Sequence, residues 1–502
     1  MSIERSAGIL LPISSLPSNY GIGTLGQEAY NFVDFLVKAN QSYWQILPVG
    51  QTSYGDSPYQ CFSSFAGNPY FIDLDMLEEE GLLDKNDLKK IKVRDKRYID
   101  YGYLYETRYP LLRKAYQNGK DKYNEEFNRF VSENISWLED YALFMSIKKH
   151  FDMKSWLEWP DQEIRERRYE AVERYKEMLK DDIIFFEFIQ YLYYKQYAKF
   201  KEYANKNGIR IIGDLPIYIA MDSCEVWSSS EQFQLDENTK VPKDVAGVPP
   251  DYFSKNGQLW GNPLYNWDYM KRTGYKWWID RVAGVSKCFD VIRIDHFRGF
   301  QEYWAVPYGE KTAIKGRWVK GPGIDFVGIL RDWFYYVDFI AEDLGIINEE
   351  VTRLLLESGF PGMRVLQFGM NPDGTSYHCP HHHIENCVCY VSTHDNLPIA
   401  GWVAKAKKKD LEYAKLYYGL NKEEGYNFGF IRGGMSSVAK LFITQMQDYL
   451  GYGEEATTNK PGTLNNWRWR LLKNEADNKL AKKISEITHA YTRDRKDTGI
   501  GK

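Results

Sequence analysis

The 502-residue chain is 43% hydrophobic and 27% charged, enough for a large folded core; its length suggests roughly two to four domains, fewer if one is a barrel. A formal net charge of −4 and a pI near 6.2 speak against nucleic acid as the main partner, which calls for a basic excess. The cysteines lack framework spacing, the N-terminus has no basic segment leading into a long apolar one, and no apolar run approaches about 18 residues, so a reduced, cytoplasmic protein without a membrane partner is expected.

Apolar runs ending in polar residues or glycine recur along the chain. They are "GILLPISSL" (8–16), "YWQILPVG" (43–50), "IRIIGDLPIY" (209–218), "FDVIRIDHF" (289–297), "DFIAEDLG" (338–345), "GMRVLQFG" (362–369), "CVCYVSTHDN" (387–396) and "KLFITQMQDYL" (440–450). Helical patterns lie between many of them. Phe185, Phe188, Ile189 and Leu192 follow the i, i+3, i+4, i+7 spacing of an amphipathic helix. Eight strands alternating with helices predict a (β/α)8 barrel rather than an open sheet, because polar groups at nearly every strand end suit a catalytic rim. About 160 residues separate the second and third strands, too many for a βα connection. Residues 75–185, charge-rich and helical in pattern, therefore read as an inserted helical subdomain. Residues 219–288, with "VPPDYFSKNGQLWGNPLYNW", read as a second insertion, an ordered irregular loop.

Two motifs weaken on inspection. "YGIGTLG" (20–26) matches G-x-G-x-x-G, but "PSN" separates it from the strand and no acid ends the second strand, so a nucleotide site is not supported. "HCPHHHIENCVC" (378–389) collects histidines and cysteines without C-x-x-C or H-x3-H spacing. Cys387 and Cys389 alternate within a strand, which puts both thiols on one face against helices and favours a structural role over a metal site.

Three strand ends carry chemistry: Asp295 on the fourth, Glu342 on the fifth, and His394–Asp395 on the seventh. A barrel brings these ends to one rim. Arg293 lies two residues before Asp295, on the same side of the strand, where it would hold that carboxylate ionised. One ionised and one protonated carboxyl group are what retaining cleavage of a glycosidic bond needs, with the two about 5–5.5 Å apart.

With these residues in place, the sequence resembles the 4-α-glucanotransferases (amylomaltases, or disproportionating enzymes) of the α-amylase clan, in the short bacterial-type form. The landmarks are "GILLPISSLPSNYGIGTLG", "WQILPVGQTSYGDSPYQ", "SFAGNPYFIDL", "IIGDLPIYIAMDS", "GVPPDYFSKNGQLWGNPLY", "VIRIDHFRGF", "FIAEDLG", "GMRVLQFG", "STHDN" and "PGTLNNWRWR", in family order over nearly the whole chain. The resemblance implies a (β/α)8 barrel with inserted subdomains and transfer between α-1,4-glucans, with glucose also an acceptor and no cofactor or metal. Asp295 would be the nucleophile, Glu342 the acid/base and Asp395 the transition-state stabiliser. Arg293 and His394 would bind the sugar at the cleavage subsite, which Asp214 and Tyr59 would shape, Tyr59 as a stacking platform. The resemblance further implies a lid over the acceptor side at 249–260, with Asp251, Phe253 and Trp260. It makes Asn466 a donor-side contact and Tyr54 part of a second glucan-binding surface. The sequence departs from the family pattern at Ser392, where glycine is common, and at "LPIAGW" after Asn396. A glucan hydrolase, a non-catalytic glucan-binding protein and, more remotely, a nicotinamide oxidoreductase are the alternative readings.

Overall fold

The computed structural model describes residues 3–53, 55–250 and 254–496. In chain order its strands are β1 (Ser6–Leu10), β2 (Tyr43–Gln45), β3 (Arg210–Leu215), β4 (Asp244–Val248), β5 (Gln258–Pro263) and β6 (Val291–Ile294). Then follow β7 (Glu302–Pro307), β8 (Arg317–Lys320), β9 (Asp338–Ala341), β10 (Gly362–Val365), β11 (Cys387–Tyr390) and β12 (Leu441–Gln445). Strands β1, β2, β3, β6, β9, β10, β11 and β12 pair in parallel, in that order, and β12 closes on β1. Each of the eight apolar runs supplies one barrel strand, and the fold is the expected (β/α)8 barrel.

The strands divide their side chains with a period of two. Leu10, Tyr43, Ile212, Val291, Ile340, Val388, Tyr390, Leu441 and Ile443 meet in one buried cluster inside the barrel. Their neighbours Ile9, Trp44, Ile211, Ile292, Ile294, Phe339, Cys387, Cys389 and Phe442 pack outward, in the cluster shared with the helices. Both strand thiols therefore face the helical layer, as their alternation predicts. The inward-facing position after Val291 is Arg293, so the guanidinium sits at the top of the barrel interior. Gly213 makes its own contribution to that layout. A Cβ there would collide with the Phe289 ring, so only glycine lets β3 approach the segment leading into β6 this closely.

Between β2 and β3 lie long helices, including Tyr101–Gly119, Asn124–His150 and Lys180–Lys206. Phe185, Phe188, Ile189 and Leu192 are all buried, as their spacing predicts. The boundary placed at 185 falls inside the continuous helix Lys180–Lys206, because its apolar stripe runs on without a break from the inserted helices to the barrel layer.

Residues 219–288 differ from expectation. Their Pro, Gly and Asn content suggests irregular chain, yet they contain β4 and β5, and these join β7 and β8 in a four-stranded antiparallel sheet ordered β5-β4-β7-β8. Half of that sheet comes from beyond β6. Its pairing is therefore invisible to a reading that treats the segment alone.

Candidate active site

The register of neighbouring strands brings the chemistry together. Arg293 is opposite Asp214 across β3 and β6, and Ile294 is opposite Ala341 across β6 and β9. The next residue on each of the latter strands, Asp295 and Glu342, therefore emerges side by side at the C-terminal rim. His296 adopts the left-handed conformation (φ 51°), turning the chain out of β6. This turn aims the His296 N–H at Glu342 Oε2 (2.7 Å), while the Leu344 N–H donates to Oε1 (2.8 Å).

Arg293 Nη1 donates to both oxygens of Asp214 (2.6 and 2.7 Å) and to Asp295 Oδ1 (3.1 Å). The partner predicted for Asp295 is present, but Arg293 bonds Asp214 more closely. Side-chain exposure separates the roles: 3% for Arg293 and 0% for Asp214, against 26% for Asp295 and 39% for Asp395. Asp214 and Arg293 are foundations; Asp295 and Asp395 face the opening.

Burial raises the Asp295 carboxyl against the pull of Arg293, to about 6. Burial, joined by the negative charge of Asp295, raises Glu342 further, to about 8, although Arg293 and two backbone N–H groups oppose it. Of the two, Glu342 therefore holds its proton more firmly, and Asp295, beside Arg293, gives its proton up first. Asp395 goes the other way. Burial would raise it, but the His394 ring, the Asn459 amide and Arg293 together hold it at about 2.

Strand β11 stops at Tyr390, so His394 and Asp395 stand on the loop beyond it rather than on the strand itself. Tyr59 OH donates to Asp214 Oδ2 (2.6 Å) and lies 2.7 Å from His394 Nε2. With its single proton committed to Asp214, the Tyr59 oxygen accepts from His394, which places the His394 proton on Nε2, 3.2 Å from Asp395 Oδ2. Burial disfavours the imidazolium but Asp395 outweighs it, raising His394. The Tyr59 and His394 rings stack (14° between planes), with Trp467 against both.

The more distant predicted contacts vary. Trp260, on β5, sets its ring against His296, with centroids 4.8 Å apart, which brings the antiparallel sheet to the rim. Asn466 is occupied within its own loop: its amide bonds Lys460 O and Thr463 O and accepts from the Lys460 N–H. Tyr54, Asp251 and Phe253 lie outside the described residues. Two contributors escape the sequence reading. Asn459 Nδ2 donates to Asp395 Oδ1 (2.5 Å) and its N–H to His394 O (2.9 Å) from 64 residues away, a separation that leaves no local signal. Trp467 could have been found from its place in "NNWRWR".

In the histidine-rich segment, the N–H of Val365 donates to His378 Nδ1, and the His383 ring contacts Ser437 Oγ and His378 O. Among the described residues, no group of three or more His, Cys, Asp or Glu could hold a metal ion.

A family model described as 4-alpha-glucanotransferase matches residues 11–474. The chain belongs to this family. It is similar to a 4-alpha-glucanotransferase of Clostridium butyricum, with 49% identity over 96% of this chain and 99% of the relative. It is also similar to one of Streptococcus pneumoniae, with 45% identity over 98% of each chain. Among solved structures, the amylomaltase of Streptococcus agalactiae in complex with acarbose superposes with a TM-score of 0.95 at 42% identity, covering 98% of this chain and all of the other. No helix among the described residues is long and apolar enough to cross a membrane.

Proposed function

We propose that Asp295, Glu342 and Asp395 carry a retaining transfer of α-1,4-glucan segments. The donor is a maltooligosaccharide, and the acceptor is the 4-hydroxyl of another glucan or of glucose. Transfer between α-1,4-glucans is the activity of the family to which the chain belongs. The observation that supports these roles is the adjacent pair of carboxyl groups at the ends of β6 and β9, of which burial and the neighbouring charge raise Glu342 further than Asp295.

The Asp295 carboxylate attacks the anomeric carbon as the glycosidic bond breaks, and Glu342 gives its proton to the departing oxygen. Losing that proton beside Asp295 becomes easier as the covalent bond forms, because esterification removes the charge that held the Glu342 pKa up. Glu342 is then a base for the incoming 4-hydroxyl, and a second displacement restores the α-configuration. Asp395, held ionised and oriented by His394 and Asn459, faces the positive charge that develops on the sugar ring. Arg293, Asp214 and Tyr59 fix the floor of this subsite.

Transfer and hydrolysis share the glucosyl-enzyme and differ in which nucleophile reaches it. The test is a product balance with maltotriose, read with the configuration of the newly formed glycosidic bonds. Reducing ends should stay nearly constant while glucose and longer glucans appear together, every new linkage α. Steadily rising reducing ends would make the protein a hydrolase, and new β-linkages would remove Asp295 from the nucleophile's role.

A further inference from the structure

The loop Thr393–Pro398 carries His394 and Asp395, and both of its ends are tied to a single carboxylate. Asp448 lies just beyond β12, in the short helix Met446–Leu450, and is fully buried. Its Oδ2 accepts from the Ser392 hydroxyl (2.7 Å) and the Thr444 hydroxyl (2.7 Å), and its Oδ1 accepts from the Ile399 N–H (2.6 Å). Ser392 immediately precedes the loop and Ile399 immediately follows it. Gln445 Nε2 donates to Ser392 Oγ (2.8 Å), and because an amide nitrogen only donates, the Ser392 proton goes to Asp448.

Inside the loop, Asn396 Oδ1 accepts from the Thr393 N–H and hydroxyl, and Gln367 bonds Leu397 O. Asn459 reaches Asp395 from the opposite side. Asp448 itself does not touch Asp395. Among the described residues, its carboxylate reaches the reaction through the two ends of the loop.

We propose that Ser392 and Asp448 are positioning residues for glucan transfer: they clamp both ends of the loop Thr393–Pro398 and so hold His394 and Asp395 where the transition state needs them. This inference rests on the reading of Asp395 as the stabiliser of the developing charge. Ser392 thereby becomes a functional residue of this chain, where a wholly structural role would make it a core hydroxyl among others. A sub-ångström drift of a charged stabiliser is expensive in rate and nearly silent in substrate binding, because the interaction strengthens only in the transition state.

Ser392→Ala removes one oxygen and leaves the chain's shape unchanged. It should lower kcat on maltotriose roughly ten- to a hundredfold with KM moved less than about twofold. Weaker binding of acarbose, a cationic mimic of the distorted sugar, should match the fall in kcat. Thr444→Val is the comparison: it deletes the other hydroxyl bond to the same carboxylate oxygen without releasing the loop. It should lower the unfolding midpoint as much as Ser392→Ala but lose far less kcat. Equal kcat in the two variants, or acarbose affinity unchanged in Ser392→Ala, would reduce the pair to a structural role and overturn the proposal. Asp395→Asn separates this failure from failure of the underlying reading. An inactive Asp395→Asn beside a fully active Ser392→Ala rejects the clamp alone, and a fully active Asp395→Asn rejects the reading beneath it.

Discussion

Asp214→Asn offers a quantitative test of the electrostatics, because it removes one charge and keeps the side chain's shape. Asp214 and Asp295 share one nitrogen of Arg293, so their nearest oxygens are no more than about 6 Å apart. At an effective dielectric of about 20, two such charges repel by roughly 3 kcal/mol, equivalent to about 2 pKa units. Releasing Arg293 from Asp214 would also let it turn wholly to Asp295, which acts in the same direction. The working form of the enzyme needs Asp295 ionised and Glu342 protonated. The pH profile of kcat/KM should therefore be a bell with limbs near 6 and 8, the values to which burial raises the two groups. In Asp214→Asn the acid limb should move down by one to two units, whatever the loss in absolute rate from a weakened subsite. The basic limb should move much less. Initial rates on maltotriose from pH 4 to 10, with stability checked at each end, decide the matter. An acid limb that stays in place or moves up would mean that Asp295 does not feel Asp214, and the assignment of that limb to Asp295 would fall.

Three other outcomes follow from particular contacts. Glu342→Gln should cost far less on an α-glucosyl fluoride than on maltotriose in the glycosylation step, since fluoride departs with little help from an acid; equal losses in burst or single-turnover rates would remove Glu342 as the acid. Asn459→Ala deletes the only described amide bond to Asp395 and should lower kcat by roughly tenfold or more with little change in KM, whereas a matching rise in KM would make Asn459 a binding residue. Arg493, wholly buried, bonds the carbonyls of Met435, Ser6, Lys440, Ser437 and Ala439 beneath the barrel; Arg493→Ala should destabilise the fold by about 2–4 kcal/mol in denaturant titration, and a loss below about 0.5 kcal/mol would show those carbonyls to be satisfied without it.

The apolar runs and their polar ends are local features, so the eight barrel strands and the rim acids were legible in the sequence. Asp295 and Glu342 each stand one residue past a strand whose register is set by burial of the apolar positions below. The two-residue step from Arg293 to Asp295 is likewise local. It correctly predicted their contact, because alternation on a strand is a property of the backbone. The resemblance to glucanotransferases rested on these same segments. What distance along the chain conceals was settled by tertiary structure. That Arg293 bonds Asp214 more tightly than Asp295 depends on the pairing of β3 with β6. The hold of Asn459 on Asp395, and of Asp448 on Ser392 and Ile399, depends on how loops close over a finished barrel. The antiparallel sheet built from β4, β5, β7 and β8 needs strands from both sides of β6, and neither half can satisfy its hydrogen bonds alone. A strand's faces follow from its own residues, whereas a hydrogen bond spanning 50 or 60 residues exists only once the folded chain brings donor and acceptor together.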